Sequence, residues 1–342
     1  MKKILVFTGL IVLGFATITC QRGPLARAPE PTATLAAPTT APRVDATAPA
    51  STPVASATQT APTASSKSSS EWITAPVLAP RLQFRTFASA AITSDVSYHI
   101  YTPEAYDTET QRRFPTLYWL HGSGGGLAGL PTLVSLFDWA IRAGKLPPIL
   151  VVFPNGHTDS MWCDSKDGSV PMETVVVKEL LPHIDATFRT VATRDARLIE
   201  GFSMGGYGAG RLGLKYPEQF GAISMLGAGP LQPEFTAEIG PAFNAQARIR
   251  IMGIVYGNDQ NYFRAASPWV LAEQNRANAI GTRIRLAVGD RDAMLAYNRE
   301  FDARLTALNI PHQFIIVPGI DHTPGKLLNA LGFDFYREAF GR

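Results

Sequence analysis

Apolar positions along this chain follow two alternating patterns from about residue 81 onward. Residues 81–87 and 95–101 read as strands, the second alternating as Val96, Tyr98 and Ile100. "FPTLYWLHG" (114–122) and "PPILVVFPNG" (147–156) are compact apolar runs closed by Gly and by a Pro-Asn-Gly turn, as buried strands would be. Between them, residues 131–144 set Leu133, Leu136, Phe137, Ala140 and Ile141 at helical spacing and stop at Gly144. Residues 172–188 predict a helix with an irregularity at Pro182. The alternation continues with "RLIEGF" as strand, Met204 to Tyr216 as helix and "FGAISMLG" as strand. Ser267 and Pro268 then cap and open a helix to about Ala279. "RIRLAVGD" (283–290) predicts a strand, and 293–308 a helix with Tyr297, Phe301, Leu305 and Leu308 facing inward. "HQFIIVPG" and 327–340 are the last strand and helix. Buried strands alternating with amphipathic helices define an α/β domain, a largely parallel sheet covered on both faces. In such sheets the ligand site lies beyond the carboxyl ends of the strands. Residues 155–171 and 227–265 carry no readable pattern and would supply selectivity.

The first 70 residues have another character. A charged start, Met1-Lys2-Lys3, precedes an apolar run from Ile4 to Ala16 that is short for a membrane span and predicts a signal peptide over 1–20. Cys20 closes "FATITC", the position of a lipidated cysteine in a lipoprotein signal; plain secretion and a retained N-terminal helix are the alternatives. Residues 21–70 contain no aromatic residue and are dominated by Pro, Ala, Thr and Ser, so a disordered tether is expected over 21–74. Residues 75–342 then form one domain, with no internal repeat. The net charge of +3, with no basic cluster, argues against a nucleic-acid partner. Cys20 and Cys163 are the only cysteines, so no disulfide framework is expected. No cofactor fingerprint and no ligand cluster at metal spacing is legible, so neither a cofactor nor a metal is expected.

The chemistry gathers at Gly201-Phe202-Ser203-Met204-Gly205, a G-x-S-x-G pattern between a predicted strand and a predicted helix. A serine hydroxyl needs a base to take its proton and an acid to orient that base. With chain order Ser, acid, His, only His312 and His322 of the six histidines come late enough. His312 stands at the wrong end of the last strand, which selects His322. Among the aspartates, Asp290 reads as a turn residue and Asp321 is adjacent to His322 and points away. Asp259 follows an earlier strand and is the alternative, and Asp292 is preferred. The oxyanion donors would be the backbone N–H groups of Met204 and of Ser123 in "HGSGGG", a loop that lacks the Lys-Ser/Thr pair of a phosphate loop.

"LYWLHGSGG", "ILVVFPNG", "ETVVVKELLPHID", "GFSMGGYGA", "SPWVLAEQ", "GDRDAML" and "PGIDH" resemble, in order, the putative-esterase family of α/β-hydrolases. That family includes feruloyl and acetylxylan esterases, S-formylglutathione hydrolase, enterochelin esterases and mycolyltransferases. The resemblance covers the chain from about residue 90 to its end. It implies the α/β-hydrolase fold, Ser203, Asp292 and His322 as a triad, and Ser123 and Met204 as the oxyanion hole. Glu173 falls on a carboxylate typical of the family and reads as structural. One departure is "HTPGK", where secreted carbohydrate esterases of this type carry an aromatic residue soon after the histidine. The expectation is an exported serine carboxylic-ester hydrolase acting on small or carbohydrate esters. An acyltransferase using the same site and a non-catalytic binding lipoprotein are the alternatives. Asn155, Trp162 and Cys163 are candidate pocket residues, with Trp162 either a sugar-stacking ring or an ordinary core aromatic and Cys163 inert.

Overall fold

The computed structural model describes residues 71–238 and 244–341. Eight strands form one sheet: β1 (Leu82–Ser89), β2 (Ser94–Tyr101), β3 (Thr116–Leu120), β4 (Leu150–Pro154), β5 (Arg197–Phe202), β6 (Ala222–Leu226), β7 (Arg283–Gly289) and β8 (Gln313–Val317). Their order is β1-β2-β4-β3-β5-β6-β7-β8. β1 and β2 pair antiparallel, as do β2 and β4, and every pair from β4 to β8 is parallel.

Strand alternation sorts side chains into two cores. Leu117 and Trp119 of β3 join one, while Tyr118 and Leu120 join the other. The first core is covered by α1 (Leu130–Arg142), with Phe137 and Ala140 fully buried, and by two C-terminal helices described below. The second is covered by a continuous helical run: α2 (Met172–Thr174), a π-helical segment (Val175–Leu180) and α3 (Leu181–Thr187). Pro182 lies inside this continuous run, directly after the π segment, so the irregularity expected at Pro182 is the π segment that precedes it. α4 (Met204–Lys215) packs on the same face with α5 (Ala245–Ile254), α6 (Gln260–Ala266), α7 (Pro268–Gln274) and α8 (Leu295–Ala307).

Three sequence expectations need correction. The helix expected from Pro268 to Ala279 breaks at Asn275. The last helix is two, α9 (Pro324–Leu331) and α10 (Asp334–Phe340), separated at Gly332, whose φ of 66° is open to glycine. Residues 71–74, placed in the tether, pack on the domain: Trp72 is buried, its carbonyl accepts from Ser97 N, and its ring meets His157. The expected signal peptide, the lipidation site at Cys20 and the rest of the tether lie outside the described residues. No helix among the described residues is long and apolar enough to cross a membrane.

Candidate active site

β5 ends at Phe202, and the chain turns directly into α4 through Ser203, which holds φ 58° and ψ −120°. A non-glycine residue in that region is strained and persists only where its surroundings enforce it. Here they do: Ser203 N donates to Leu226 O on β6, and the Ser203 carbonyl accepts from Tyr207 N and Gly229 N. The flanking glycines allow the turn to close. A Cβ on Gly205 would stand 1.9 Å from Leu120 O, and one on Gly201 2.3 Å from Gly205 O. The turn lifts the hydroxyl to the carboxyl edge of the sheet.

His322 follows β8, and its Nε2 lies 2.9 Å from Ser203 Oγ. Its Nδ1 lies 2.8 Å from Asp292 Oδ2. Asp292 follows β7, its side chain fully buried, and its other oxygen accepts from Met294 N at 2.8 Å. An ionised carboxylate can only accept, so Nδ1 carries the proton and Nε2 is left to accept from the serine. Phe202 packs on the imidazole, ring centroids 4.5 Å apart.

The competing aspartates are engaged elsewhere. Asp259 caps α6, accepting from Asn261 N and Tyr262 N, and pairs with Lys166 at 2.6 Å; the Lys166 bond leads in holding its carboxyl below the usual range. Asp290 accepts from Gly319 N, and Asp321 from Thr323 Oγ1 and Lys326 Nζ. His312 bonds Asp302 at 2.8 Å.

The loop after β3 carries Ser123. A Cβ on Gly122 would lie 3.3 Å from Ser203 Cβ, so this loop passes directly over the serine. Gly124, Gly125 and Gly126 all hold positive φ (89°, 94° and 59°), which turns the chain back so sharply that a Cβ on Gly126 would meet His121 Cβ at 2.3 Å. Met204, first in α4, has no intrahelical acceptor for its N–H, and the helix dipole adds partial positive charge there.

Sequence reasoning missed His121. Its Nδ1 lies 2.7 Å from Gly122 O, and its Nε2 accepts from Gly156 N at 3.1 Å, so it ties the loop over the serine to the loop after β4. Burial pushes its pKa below the ordinary histidine value. The signal was present in "LHG", a histidine at the carboxyl end of a buried strand.

Glu173 is a structural tie, pairing with Arg211 and Lys215 of α4 at 2.5 and 2.6 Å. Burial raises its pKa, but Arg211, Lys215 and Tyr216 outweigh that and hold it at about 2. Trp162 is fully buried with Nε1 bonded to His121 O, so it is no stacking platform. Cys163 is buried too, and burial pushes its thiol pKa up, away from the reactive thiolate. Asn155 spends its amide on Glu71 O and His157 N. No group of three or more metal-ligand side chains occurs among the described residues.

The sheet order, the strained serine turn and the positions of Asp292 and His322 after β7 and β8 define an α/β-hydrolase fold. Residues 89–321 match the family described as "Putative esterase", and the chain belongs to that family. It is 33% identical over 260 residues to Esterase Rv1288 of Mycobacterium tuberculosis (strain ATCC 25618 / H37Rv), covering 70% of this chain and 55% of that protein. The chain therefore spans about half the length of that curated relative. It is 34% identical over 170 residues to an endo-1,4-beta-xylanase/feruloyl esterase of Xylanibacter ruminicola, covering 45% of this chain and 22% of that one. A solved ferulic acid esterase superposes with a TM-score of 0.63 at 22% identity, covering 76% of this chain and 98% of its own.

Proposed function

We propose that this protein is a serine carboxylic-ester hydrolase that works through an acyl-enzyme, with Ser203 as nucleophile, His322 as base and Asp292 as orienting acid. The observation that carries the reading is the unbroken hydrogen-bond chain from Asp292 Oδ2 through both ring nitrogens of His322 to Ser203 Oγ, at 2.8 and 2.9 Å. Nε2 takes the hydroxyl proton as Oγ bonds to the ester carbonyl carbon. The carbonyl oxygen becomes an anion facing the N–H groups of Ser123 and Met204, each donor supporting about 3 kcal/mol of barrier lowering. Collapse breaks the bond to the alcohol oxygen, which leaves with the proton from Nε2. Water then attacks the acyl-enzyme by the same proton path and releases the acid and free Ser203.

Esters of small alcohols or of carbohydrate hydroxyls are the substrate class to test, since the relatives include a protein named as a feruloyl esterase. Export, with a lipid on Cys20, is part of the proposal and rests on the N-terminal sequence pattern. Cys20→Ser should then leave the membrane fraction.

The test assays Ser203→Ala beside the wild type on p-nitrophenyl esters and labels both with a fluorophosphonate. Wild type should turn over and label. The variant should fold, fail to label and lose several orders of magnitude in kcat. Retention of more than about a tenth of the activity would remove Ser203 from the mechanism. Labelling without hydrolysis would favour transfer to another hydroxyl, and neither would favour a binding role.

A further inference from the structure

Residues 71–77 run as a strap over β2 and the loop after β4. Trp72 O accepts from Ser97 N at 2.9 Å, Thr74 N donates to Ser97 Oγ at 2.9 Å, and Val77 N donates to His99 Nε2 at 3.1 Å. Trp72 and its two anchors on β2, Ser97 and His99, are all buried. The strap also grips the loop after β4. Asn155 Nδ2 donates to Glu71 O at 2.9 Å, and the Trp72 and His157 rings meet with centroids 4.2 Å apart. Glu71 Oε2 stands 3.8 Å from His157 Nδ1. His157 holds φ 51°, a conformation that a residue with a Cβ keeps only where its surroundings enforce it. The strap supplies part of that enforcement.

The same loop holds the segment that carries Ser123. Gly124 N donates to Thr158 O at 3.0 Å. Gly156 N donates to Nε2 of His121, whose Nδ1 lies 2.7 Å from Gly122 O. Ser123 is therefore fixed on both sides by residues 156–158. The strap and the glycine turn face one another across a cavity of about 520 Å³, walled by Ile73 and Gly125 with Trp119, Ala128 and Phe153. These ties between them run through residues 155–158 instead. We infer that Trp72 is a positioning residue for the oxyanion hole: it seats the strap, which holds residues 155–158 against the glycine turn and so aims the Ser123 N–H at the developing anion. The inference rests on the proposed triad and oxyanion donors. An oxyanion donor acts through its placement, and an error of about 1 Å can cost about 10²-fold in rate. An unseated strap would let His157 relax and would loosen Ser123 without touching Ser203, His322 or Asp292. The root of the expected tether thereby belongs to the catalytic unit.

The experiment uses the full chain with Trp72→Ala, Trp72→Phe and Asn155→Asp. Asn155→Asp keeps the acceptor for His157 N but turns an acceptor towards Glu71 O, so it cuts one strap tie at nearly constant volume. It carries the test should Trp72→Ala fail to fold. Each folded variant is assayed for kcat and KM on p-nitrophenyl acetate and for inhibition by phenylboronic acid. Boron bonds Ser203 Oγ as the hydroxyl proton passes to His322, and one hydroxyl of the tetrahedral anion faces Ser123 and Met204. In Trp72→Ala and Asn155→Asp, kcat should fall at least about tenfold with KM within about twofold of wild type, and the boronate Ki should rise in step. Trp72→Phe should recover most of the loss. An unchanged kcat, a loss confined to KM, or a kcat loss with an unchanged boronate Ki would overturn the inference while leaving the triad standing. A wild type that neither hydrolyses any ester nor labels with a fluorophosphonate would remove the triad reading, and this one with it.

Discussion

Asp292 divides its carboxylate between two donors, Met294 N on Oδ1 and His322 Nδ1 on Oδ2, with no exposure to solvent. That division sets the chemistry of the histidine. In Asp292→Asn the oxygen would stay on Met294 N and turn the amide NH2 towards Nδ1. Nδ1 would then have to accept, the proton would move to Nε2, and the ring could no longer take one from Ser203. The expected loss in kcat is about 10⁴-fold, with a melting temperature close to wild type, measured on a p-nitrophenyl ester and by circular dichroism. A loss below about tenfold would show that the imidazole does not depend on Asp292 for its tautomer. Among the late aspartates, only loop position distinguishes Asp292 in the sequence. The 2.8 Å contact is a property of the folded chain.

Neighbouring strands share a buried polar rung. Glu200, Ser224 and Arg285 are register partners on β5, β6 and β7. Arg285 Nη2 meets Glu200 Oε2 at 2.7 Å and Ser224 Oγ at 3.0 Å, and Tyr336 of α10 donates to Glu200 Oε1. The rung stands three residues before Ser203 and locks the strand that ends at Ser203 to the strand that leads to Asp292. Arg285→Met would strand a buried carboxylate and should cost about 3–5 kcal/mol in urea unfolding. Adding Glu200→Leu should recover part of that loss, because it removes the stranded charge but leaves the buried Tyr336 hydroxyl without its acceptor. A double variant as unstable as the single would mean that the rung stabilises by more than charge compensation.

Elements whose apolar stripe was complete, such as α1, β3, β4 and β7, were legible from spacing alone. α5 and α6 were not. α5 buries Arg248 beside Ile251 and Met252, and the Arg248 guanidinium finds the carbonyls of Thr236 and Ala237. No apolar period marks such a helix. α6 is a seven-residue helix begun by the Asp259 cap, too brief for a period to register.

At the scale of the molecule, buried histidines make stability depend on pH. Burial holds the pKa values of His99 and His121 below 6.5. Both accept backbone N–H groups at Nε2, from Val77 and Gly156, so the fold holds them neutral. The unfolded chain protonates them near 6.5 and so binds more protons below that value. Their contribution is complete above pH 6.5 and is lost as pH falls through the lower folded-state values. Glu173, held at about 2 against an ordinary 4.5, adds a loss only below that window. Urea midpoints should therefore fall between pH 7 and pH 5, without a change in secondary structure at zero urea. A flat or rising midpoint over that range would contradict the neutral assignment.

Local sequence determined most of the elements, because a buried strand and an amphipathic helix each imprint a period on the chain. It also narrowed the chemistry to one serine, one preferred histidine and a short set of aspartates, because the order of loops along an α/β chain restricts which residues can reach one edge of the sheet. Only the tertiary structure decided the distances among Ser203, His322 and Asp292, the burial that removes Trp162 from any pocket, and the tie made by His121. The cavity walled by Ile73, Trp119, Ala128 and Phe153 is of the same kind. Its residues come from four separate stretches of chain, and no local pattern records that the sheet brings them together.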